Sequence, residues 1–198
     1  IDQAQRSHFL MEKDKFVKHI DNGHFLKALA VLSDLLIGDA HSNSYFKNVT
    51  GLDNNYKYNY LFGTAPKETY LKLLAMKETR QAIQVGNLPF NDPSKVAMHL
   101  FNDLMQSVKP LIEDLLNLGY RTMFYNGQLD VMVAASLTDN FLKQLHWKGS
   151  NKYNQSARTI YKVTLEDAVA GYVKQVDNLY FAVIRNAGHS VTYDQPRV

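Results

Sequence analysis

Two short segments of the sequence carry side chains that can act together as an acid and a base. Asp130 follows a predicted strand that ends at Tyr125, and His189 follows a second predicted strand that ends near Ile184. In open α/β sheets, functional sites form where the carboxyl ends of strands meet. An aspartate on one such loop can orient a histidine on another and stabilise the imidazolium ion that forms during proton transfer. The alternative is that Asp130 is an ordinary turn or helix-capping residue and that His189 is an ordinary loop residue.

The order of the two residues carries further information. Asp followed by His is the order of the last two members of the Ser, Asp, His series in α/β-hydrolases. A serine in the G-x-S-x-G turn of that fold requires two glycines four positions apart. None of the ten glycines of this chain form such a pair. The chain therefore contains no recognisable nucleophile of this type.

Other kinds of chemical site are not indicated. The sequence has no G-x-G-x-x-G or P-loop pattern for nucleotides and no H-E-x-x-H pattern for zinc. It has no cysteine, which excludes structural disulfides and thiol catalysis. His19 and His24 lie five positions apart across a predicted helix break, which is a poor arrangement for metal ligands. We therefore expect no metal site.

The composition is that of an ordinary globular protein. The 198 residues are 45% hydrophobic and 21% charged, with a net charge of +3, which excludes the collagen-like, disordered and disulfide-framework classes. The length corresponds to one domain, or to one domain with an appendage. Lys and Arg are scattered, so no nucleic-acid partner is predicted. Polar residues interrupt the apolar stretches, so no membrane span is predicted.

The predicted secondary structure is a helical segment followed by helices and strands in alternation. Residues 1–38 show two apolar faces at helical spacing, which predicts a helical hairpin. Residues 39–65 lack a helical period and are predicted to form a long loop with a short strand at 56–62. The later pattern predicts helices at 67–76, 78–85, 92–118 (broken or kinked at Pro110) and 134–145, and strands at 120–125, 158–163, 172–176 and 179–184. This alternation favours a layered α/β domain.

Several motifs, in the same order along the chain, resemble those of the serine carboxypeptidases. The stretch Phe124-Tyr-Asn-Gly-Gln-Leu-Asp-Val-Met-Val133 resembles the acid-bearing segment of that family, and Gly188-His-Ser-Val-Thr-Tyr-Asp-Gln-Pro196 resembles its histidine segment. Shorter similarities occur at residues 46–51, 80–86, 147–149 and 170–173. The resemblance covers nearly the whole chain and is greatest to the vitellogenic-like serine carboxypeptidases.

This resemblance implies that the chain is the C-terminal part of an α/β-hydrolase fold with a helical lid segment at its N-terminus. Residues 1–65 would belong to the lid or insertion, and residues 66–198 to the C-terminal part of the core. The nucleophilic serine, the oxyanion hole and the acidic residues that bind the terminal carboxylate of the substrate would lie upstream. The chain, which begins with Ile rather than Met, is therefore expected to be one half of a processed or truncated molecule.

The same resemblance implies roles for single residues. Asp130 would be the acid of the catalytic triad, and His189 would be its general base. Met132 and Val133 correspond to positions near the pocket for the side chain before the scissile bond. Ser190 corresponds to a position beside the pocket of the leaving residue. No metal ion and no organic cofactor are implied.

The expected function is that of a serine carboxypeptidase, which releases C-terminal residues from peptides through an acyl-enzyme. The expected partner is the N-terminal half of the same enzyme, which carries the nucleophilic serine, and a homodimer is a further possibility. Two alternatives remain open. One is a non-catalytic secreted homologue that serves as a binding or storage protein, and the other is an unrelated α/β binding domain whose motif similarities are coincidental. The residue at the upstream nucleophile position discriminates between the first alternative and the enzyme.

Two N-glycosylation sequons point to the secretory pathway. They begin at Asn48 and Asn154, and both lie in polar segments that are expected at the surface. Such triplets also arise by chance. Together with the compartments that are usual for the family, they predict a secreted or lysosomal protein.

Overall fold

The chain folds into ten α-helices and four strands across residues 1–38, 42–52, 69–88 and 94–198, which a computed structural model describes. The helices are α1 (Gln3–Asp21), α2 (Phe25–Leu32), α3 (Tyr45–Thr50), α4 (Thr69–Ala75), α5 (Lys77–Ala82), α6 (Ser94–Leu104), α7 (Lys109–Asn117), α8 (Ala135–Lys143), α9 (Ser150–Gln155) and α10 (Val191–Asp194). The strands are β1 (Thr122–Gly127), β2 (Thr159–Tyr161), β3 (Gly171–Val176) and β4 (Leu179–Ile184). A π-helical turn, Ser33–Ile37, extends α2. Within these four ranges, no helix combines the length and the apolarity needed to cross a membrane.

The N-terminal part forms the predicted helical hairpin. Asp2 caps α1, because its side chain accepts a hydrogen bond from Gln5 N–H while the Gln5 side chain accepts one from Asp2 N–H, both at 2.8 Å. Gly23 turns the chain between α1 and α2 with a φ of +69°, a left-handed conformation that glycine adopts readily. The two helices pack against each other, and α2 also contacts α6.

The long loop predicted over residues 39–65 contains a helix, α3, so this prediction is wrong in part. Ser44 Oγ accepts a hydrogen bond from Lys47 N–H at 3.2 Å at the start of α3, and Gly51 ends it with a φ of +69°. Six residues make fewer than two helical turns, which is too short for a helical period to show in the sequence. The strand predicted at 56–62 and the predicted boundary between residues 65 and 66 lie outside the described residues.

The helical region predicted over 92–118 consists of two helices, α6 and α7. The break between them lies at residues 105–108, just before Pro110. Pro110 occupies the first turn of α7, where a backbone N–H has no partner within the helix. Proline, which has no N–H, therefore costs the helix no hydrogen bond at this position. The predicted break is therefore confirmed, although the proline begins a helix rather than interrupting one.

The four strands form one mixed sheet in the order β1-β4-β3-β2. β1 and β4 are parallel, whereas β3 runs antiparallel to both β4 and β2. β3 and β4 are joined by a two-residue turn, in which Asp177 has a φ of +49°. The four predicted strands around residues 122–184 are all confirmed, with ends displaced by no more than two residues.

The main core lies between one face of the sheet and the helices α7, α8 and α9. Its buried side chains are Leu116, Leu142, Leu145, Trp147, Tyr153, Val176, Leu179, Phe181 and Val183. The sequence pattern did not predict α9, whose Tyr153 is fully buried. This packing holds β1 and β4, the two strands that precede Asp130 and His189.

The opposite face of the sheet is more open. Met123 and Tyr125 of β1 are 59% and 56% exposed, and they border a groove of about 360 Å³ that also contacts Ala182 and Ile184. Among the described residues, β1 pairs with β4 alone, so its other edge carries no neighbouring strand. As far as the described residues extend, this end of the sheet therefore presents both an unpaired edge and an apolar surface.

Candidate functional site

The predicted acid and base lie on neighbouring loops at one edge of the sheet. β1 and β4 run parallel and in register, so their carboxyl ends meet. Two backbone hydrogen bonds tie the loop after β1 to the end of β4 and to the loop that follows it. Gln128 N–H donates to Ile184 O at 2.8 Å, and Leu129 N–H donates to Ala187 O at 2.9 Å. These bonds continue the contact between the two strands into the loops and bring the loops side by side.

The close approach of the two loops depends on Gly127. A Cβ atom at this position would lie 2.1 Å from Gly188 O and 2.4 Å from Ala187 O, which is far inside van der Waals contact. Any side chain at this position would force the backbones apart. Glycine is therefore required here by the approach of another backbone.

Asp130 is a buried carboxylate, 6% exposed, and both of its oxygens are hydrogen bonded. Oδ1 accepts from the backbone N–H of Met132 at 2.9 Å and from that of Val133 at 3.1 Å. Oδ2 lies 2.9 Å from His189 Nδ1. An unpartnered buried carboxylate would be costly, so these contacts are what allows Asp130 to lie inside the protein.

Asp130 binds one ring nitrogen of His189. Its Nδ1 contacts Asp130, while its side chain is 45% exposed. The carboxylate favours a hydrogen atom on Nδ1, which leaves Nε2 as the nitrogen that can take up and release a proton. The geometry is that of a base oriented by a buried acid.

The three residues predicted to contact substrate lie close to this pair. Met132 and Val133 bind Asp130 through their backbone N–H groups, and Val133 is 43% exposed whereas Met132 is partly buried. Ser190 follows His189 directly, is exposed, and makes no capping hydrogen bond to α10 through its side chain. The structure thus brings all three near the acid or the base. Their contact with a substrate stays a prediction.

Two residues that hold these loops were not identified from the sequence pattern. Asn126, near the end of β1, is buried and donates from Nδ2 to Val133 O at 2.8 Å, which closes the first loop. Asp194, the last residue of α10, accepts a hydrogen bond from Gly188 N–H through Oδ2 at 2.7 Å, which closes the second. Asn126 belongs to the motif that carries the acid, and Asp194 belongs to the motif that carries the base. Their place in these motifs is the sequence signal that could have identified them.

A second group of titratable side chains lies beside α8 and α9. Asp139 binds Lys143 Nζ at 2.8 Å and Arg158 at 3.3 Å. Although burial alone would raise the pKa of Asp139, the hydrogen bond from Lys143 and the charge of Arg158 lower it. Burial, aided by the charge of Asp139, raises the pKa of Tyr153 to about 12. In the part of the chain that the structure covers, no group of three or more His, Cys, Asp or Glu side chains is arranged to hold a metal ion.

Both sequon asparagines are exposed, but they lie on helices rather than in loops. Asn48 is on α3, and Asn154 is on α9, in a segment that was predicted to lie between elements. Asn154 Nδ2 donates to Lys143 O at 3.3 Å. Their exposure leaves room for a glycan, and its attachment stays a prediction.

Comparison with known proteins finds related sequences along the whole chain. A family model described as serine carboxypeptidase matches residues 17–198. The "Probable serine carboxypeptidase CPVL" of Homo sapiens is 40% identical over 200 residues, which cover 99% of this chain and 41% of that protein. The "Venom serine carboxypeptidase" of Apis mellifera is 39% identical over 202 residues, which cover 100% of this chain and 42% of that protein. The chain therefore spans about two fifths of the length of these curated relatives.

One solved structure has a similar fold. It is KEX1(ΔP), a prohormone-processing carboxypeptidase from Saccharomyces cerevisiae, with a TM-score of 0.51 and 16% sequence identity. The alignment covers 98% of this chain and 49% of that chain. At this identity, the likeness concerns the fold alone. That carboxypeptidase has the α/β-hydrolase fold, and this chain forms part of such a fold, so the predicted fold class is confirmed.

Proposed function

This chain belongs to the serine carboxypeptidase family, as its motifs predicted, and from that premise we propose that it supplies the acid and the base of a serine-type carboxypeptidase. Asp130 and His189 are two members of a Ser-His-Asp triad, and the serine lies in an upstream segment of the same enzyme. The observation that carries the proposal is the 2.9 Å contact between Asp130 Oδ2 and His189 Nδ1, in which the carboxylate is buried and the imidazole is half exposed.

In the first half of the reaction, an acyl-enzyme forms. His189 Nε2 takes the proton of the serine hydroxyl while the serine oxygen attacks the carbonyl carbon of the last peptide bond. When the tetrahedral intermediate collapses, the C–N bond breaks and the proton passes from Nε2 to the amine of the departing amino acid. The rest of the peptide remains as an ester of the serine. Throughout, Asp130 holds Nδ1–H and stabilises the imidazolium ion.

In the second half, water releases the shortened peptide. His189 Nε2 takes a proton from water, the water oxygen attacks the ester carbon, and the serine oxygen leaves with that proton. The product is a peptide with a new terminal carboxylate. Asp130 keeps its place in both halves because Met132 N–H and Val133 N–H hold its other oxygen, so the acid needs no reorganisation between steps.

Met132, Val133 and Ser190 are proposed to face the peptide. Val133 is an exposed apolar side chain three residues after Asp130, which suits a pocket for the side chain before the scissile bond. Met132 lies beside it and has an adaptable side chain. Ser190 is small, so it leaves space beside the departing residue.

The proposed partner is the upstream half of the enzyme, seated next to β1. An edge strand with free N–H and C=O groups pairs readily with another strand, and the exposed Met123 and Tyr125 add an apolar surface for it to cover. Without that half, this chain is expected to associate through the same surface and to be inactive for want of a nucleophile. We also propose that the whole enzyme is secreted or lysosomal and carries glycans at Asn48 and Asn154.

The test uses the full-length protein with its upstream half. A fluorophosphonate that reacts with activated serines is expected to label one serine upstream of this chain. Mass spectrometry of an incubated peptide is expected to show the stepwise loss of its C-terminal residues. The same peptide with an amidated C-terminus is expected to resist, because the family binds a free terminal carboxylate.

Variants of two histidines test whether this activity depends on His189. His189→Ala is expected to abolish both labelling and release. His146→Ala, which alters a histidine with an 83% exposed side chain after α8, is expected to leave both unchanged. Release that persists in His189→Ala contradicts the role of His189 as base. An unaltered protein that shows neither labelling nor release favours the binding or storage homologue instead.

A further inference from the structure

The loop that carries His189 is closed by a carboxylate of its own chain. Gly188 N–H donates to Asp194 Oδ2 at 2.7 Å, across six positions of sequence. Gly188 is buried, and Asp194 ends the short helix α10. The bond therefore spans from the residue just before His189 to the end of the helix that follows it.

Two anchors fix the backbone on the N-terminal side of His189. Leu129 N–H donates to Ala187 O at 2.9 Å and ties this backbone to the loop of the acid. The second anchor is the bond from Gly188 to Asp194. Because the two anchors act on consecutive residues, they set the direction in which the chain enters His189. A rotation of this backbone would move Nδ1 away from its partner.

The acceptor in the second anchor is charged. Hydrogen bonds to an ionised carboxylate are shorter and roughly twice as strong as neutral ones, and the 2.7 Å distance lies at the short end of the range for N–H donors. A buried N–H that loses its acceptor must find another by local movement. Removing the carboxylate would therefore rearrange the backbone next to His189.

We propose that Asp194 is a positioning residue for the base: its carboxylate, through Gly188 N–H, keeps His189 Nδ1 at hydrogen-bond distance from Asp130. The proposal rests on the function proposed above, because only a reaction that uses His189 gives this position a catalytic consequence. Asp194 touches neither the substrate nor the reacting atoms in this scheme. Its proposed effect on the base passes through the bond from Gly188 N–H.

The test compares Asp194→Ala and Asp194→Asn in the full-length enzyme. Asp194→Ala is expected to lower kcat by about 10- to 100-fold, because misplacement of a catalytic group by about 1 Å has effects of this size. KM is expected to change much less. Asp194→Asn keeps an oxygen acceptor and is expected to restore most of kcat, leaving a loss of less than about tenfold, since a neutral hydrogen bond has roughly half the strength of a charged one.

A matched control separates positioning from a general loss of folding. Asp167 Oδ2 accepts a hydrogen bond from Thr164 N–H at 2.9 Å in the loop between β2 and β3. Asp167→Ala removes the same kind of bond elsewhere and is expected to leave kcat unchanged. Equal losses of kcat in Asp167→Ala and Asp194→Ala would overturn the proposal, as would an unchanged kcat in Asp194→Ala.

A second measurement does not depend on activity. The hydrogen on His189 Nδ1 is expected to give a downfield proton resonance in NMR spectra, assigned by its loss in His189→Ala. The resonance is expected to disappear or shift in Asp194→Ala and to return in Asp194→Asn. If the unaltered protein releases no amino acids, the proposed function fails. The resonance still shows whether Asp194 positions the His189 ring. A resonance that is identical in Asp194→Ala and the unaltered protein refutes the role of Asp194.

Discussion

A single methyl group at Gly127 is expected to separate the acid from the base. Gly127 lies at the end of β1, where its Cα faces the backbone of the His189 loop. Ordinary contact begins at 3.4 Å, and a Cβ atom here would lie 2.1 Å from Gly188 O, so Gly127→Ala must move the two backbones apart by about 1.3 Å. The obstructing atoms are backbone carbonyls, so no flexible side chain can move aside instead.

Two effects of that displacement can be given a size. Forcing additional atoms into packed structure costs about 1–3 kcal/mol of folding free energy. A shift of this size also stretches the 2.9 Å contact between Asp130 and His189 past hydrogen-bond distance. Misplacement of catalytic groups by about 1 Å lowers turnover by roughly 10²-fold. Gly127→Ala should therefore reduce kcat by about this factor in the folded enzyme.

The assay pairs steady-state peptide release with urea denaturation of the full-length enzyme. Gly119→Ala is the control, because Gly119 has a φ of +87° and no atom within 4 Å of an added Cβ. That substitution strains the backbone by about 1 kcal/mol or more without touching the site. It should lower the denaturation midpoint and leave kcat unchanged under conditions in which the enzyme is folded.

Two results would refute this reasoning. If Gly127→Ala shows the kcat and the denaturation midpoint of the unaltered enzyme, the loops do not approach as closely as the structure shows. If Gly119→Ala loses as much kcat as Gly127→Ala, the loss reports weaker folding rather than a displaced base.

Three further predictions concern the acid, the glycans and the buried tyrosine. Asp130→Asn should leave the fold nearly intact and reduce turnover by roughly 10⁴-fold, because His189 is then held in the wrong tautomer; near-normal turnover in a peptide-release assay would contradict the assignment. Glycosidase treatment of secreted protein should lower the mass of the segment that contains Asn48 and Asn154, whereas an unchanged mass would remove the sequon argument for secretion. Since the pKa of Tyr153 is raised to about 12 from its usual value near 10, the folded state holds this proton more tightly than the unfolded state. The free energy of unfolding should therefore fall from pH 10 to 12, and the fall should be less steep in Tyr153→Phe in chemical denaturation at each pH.

Elements with a long or continuous apolar pattern could be predicted from the sequence. β4 was predicted with both ends correct, because Leu179–Ile184 is an unbroken apolar run between two turn signals. The N-terminal hairpin was predicted because the apolar residues of each helix recur at helical spacing. The short helices α3 and α9 were not predicted. Each has six residues, and local or tertiary contacts hold them, such as the Ser44 cap of α3 and the burial of Tyr153 in α9.

In the candidate site too, residues in a clear local sequence pattern could be predicted, whereas residues that depend on contacts in the folded chain could not. Asp130 and His189 could be singled out because each follows a strand and lies in a recognisable motif. The residues that hold them could not be derived in the same way. Whether Gly127 meets Gly188 depends on the register of β1 against β4, and whether Asp194 reaches a backbone N–H depends on the path of the loop after β4. Register and loop path are properties of the assembled sheet rather than of either segment.

The parallel pairing of β1 with β4 also determines when the site forms as the chain folds. Hairpins such as β3–β4 form in about 1–10 μs, because closing a two-residue turn costs the chain little conformational entropy. Asp130 and His189 are 59 positions apart, so bringing β1 to β4 requires closing a long loop before any contact is gained. The acid and the base should therefore meet late in folding and separate early in unfolding. Loss of catalysis in mild denaturant should accordingly precede loss of the hairpin, which makes enzymatic activity the more sensitive reporter of partial unfolding.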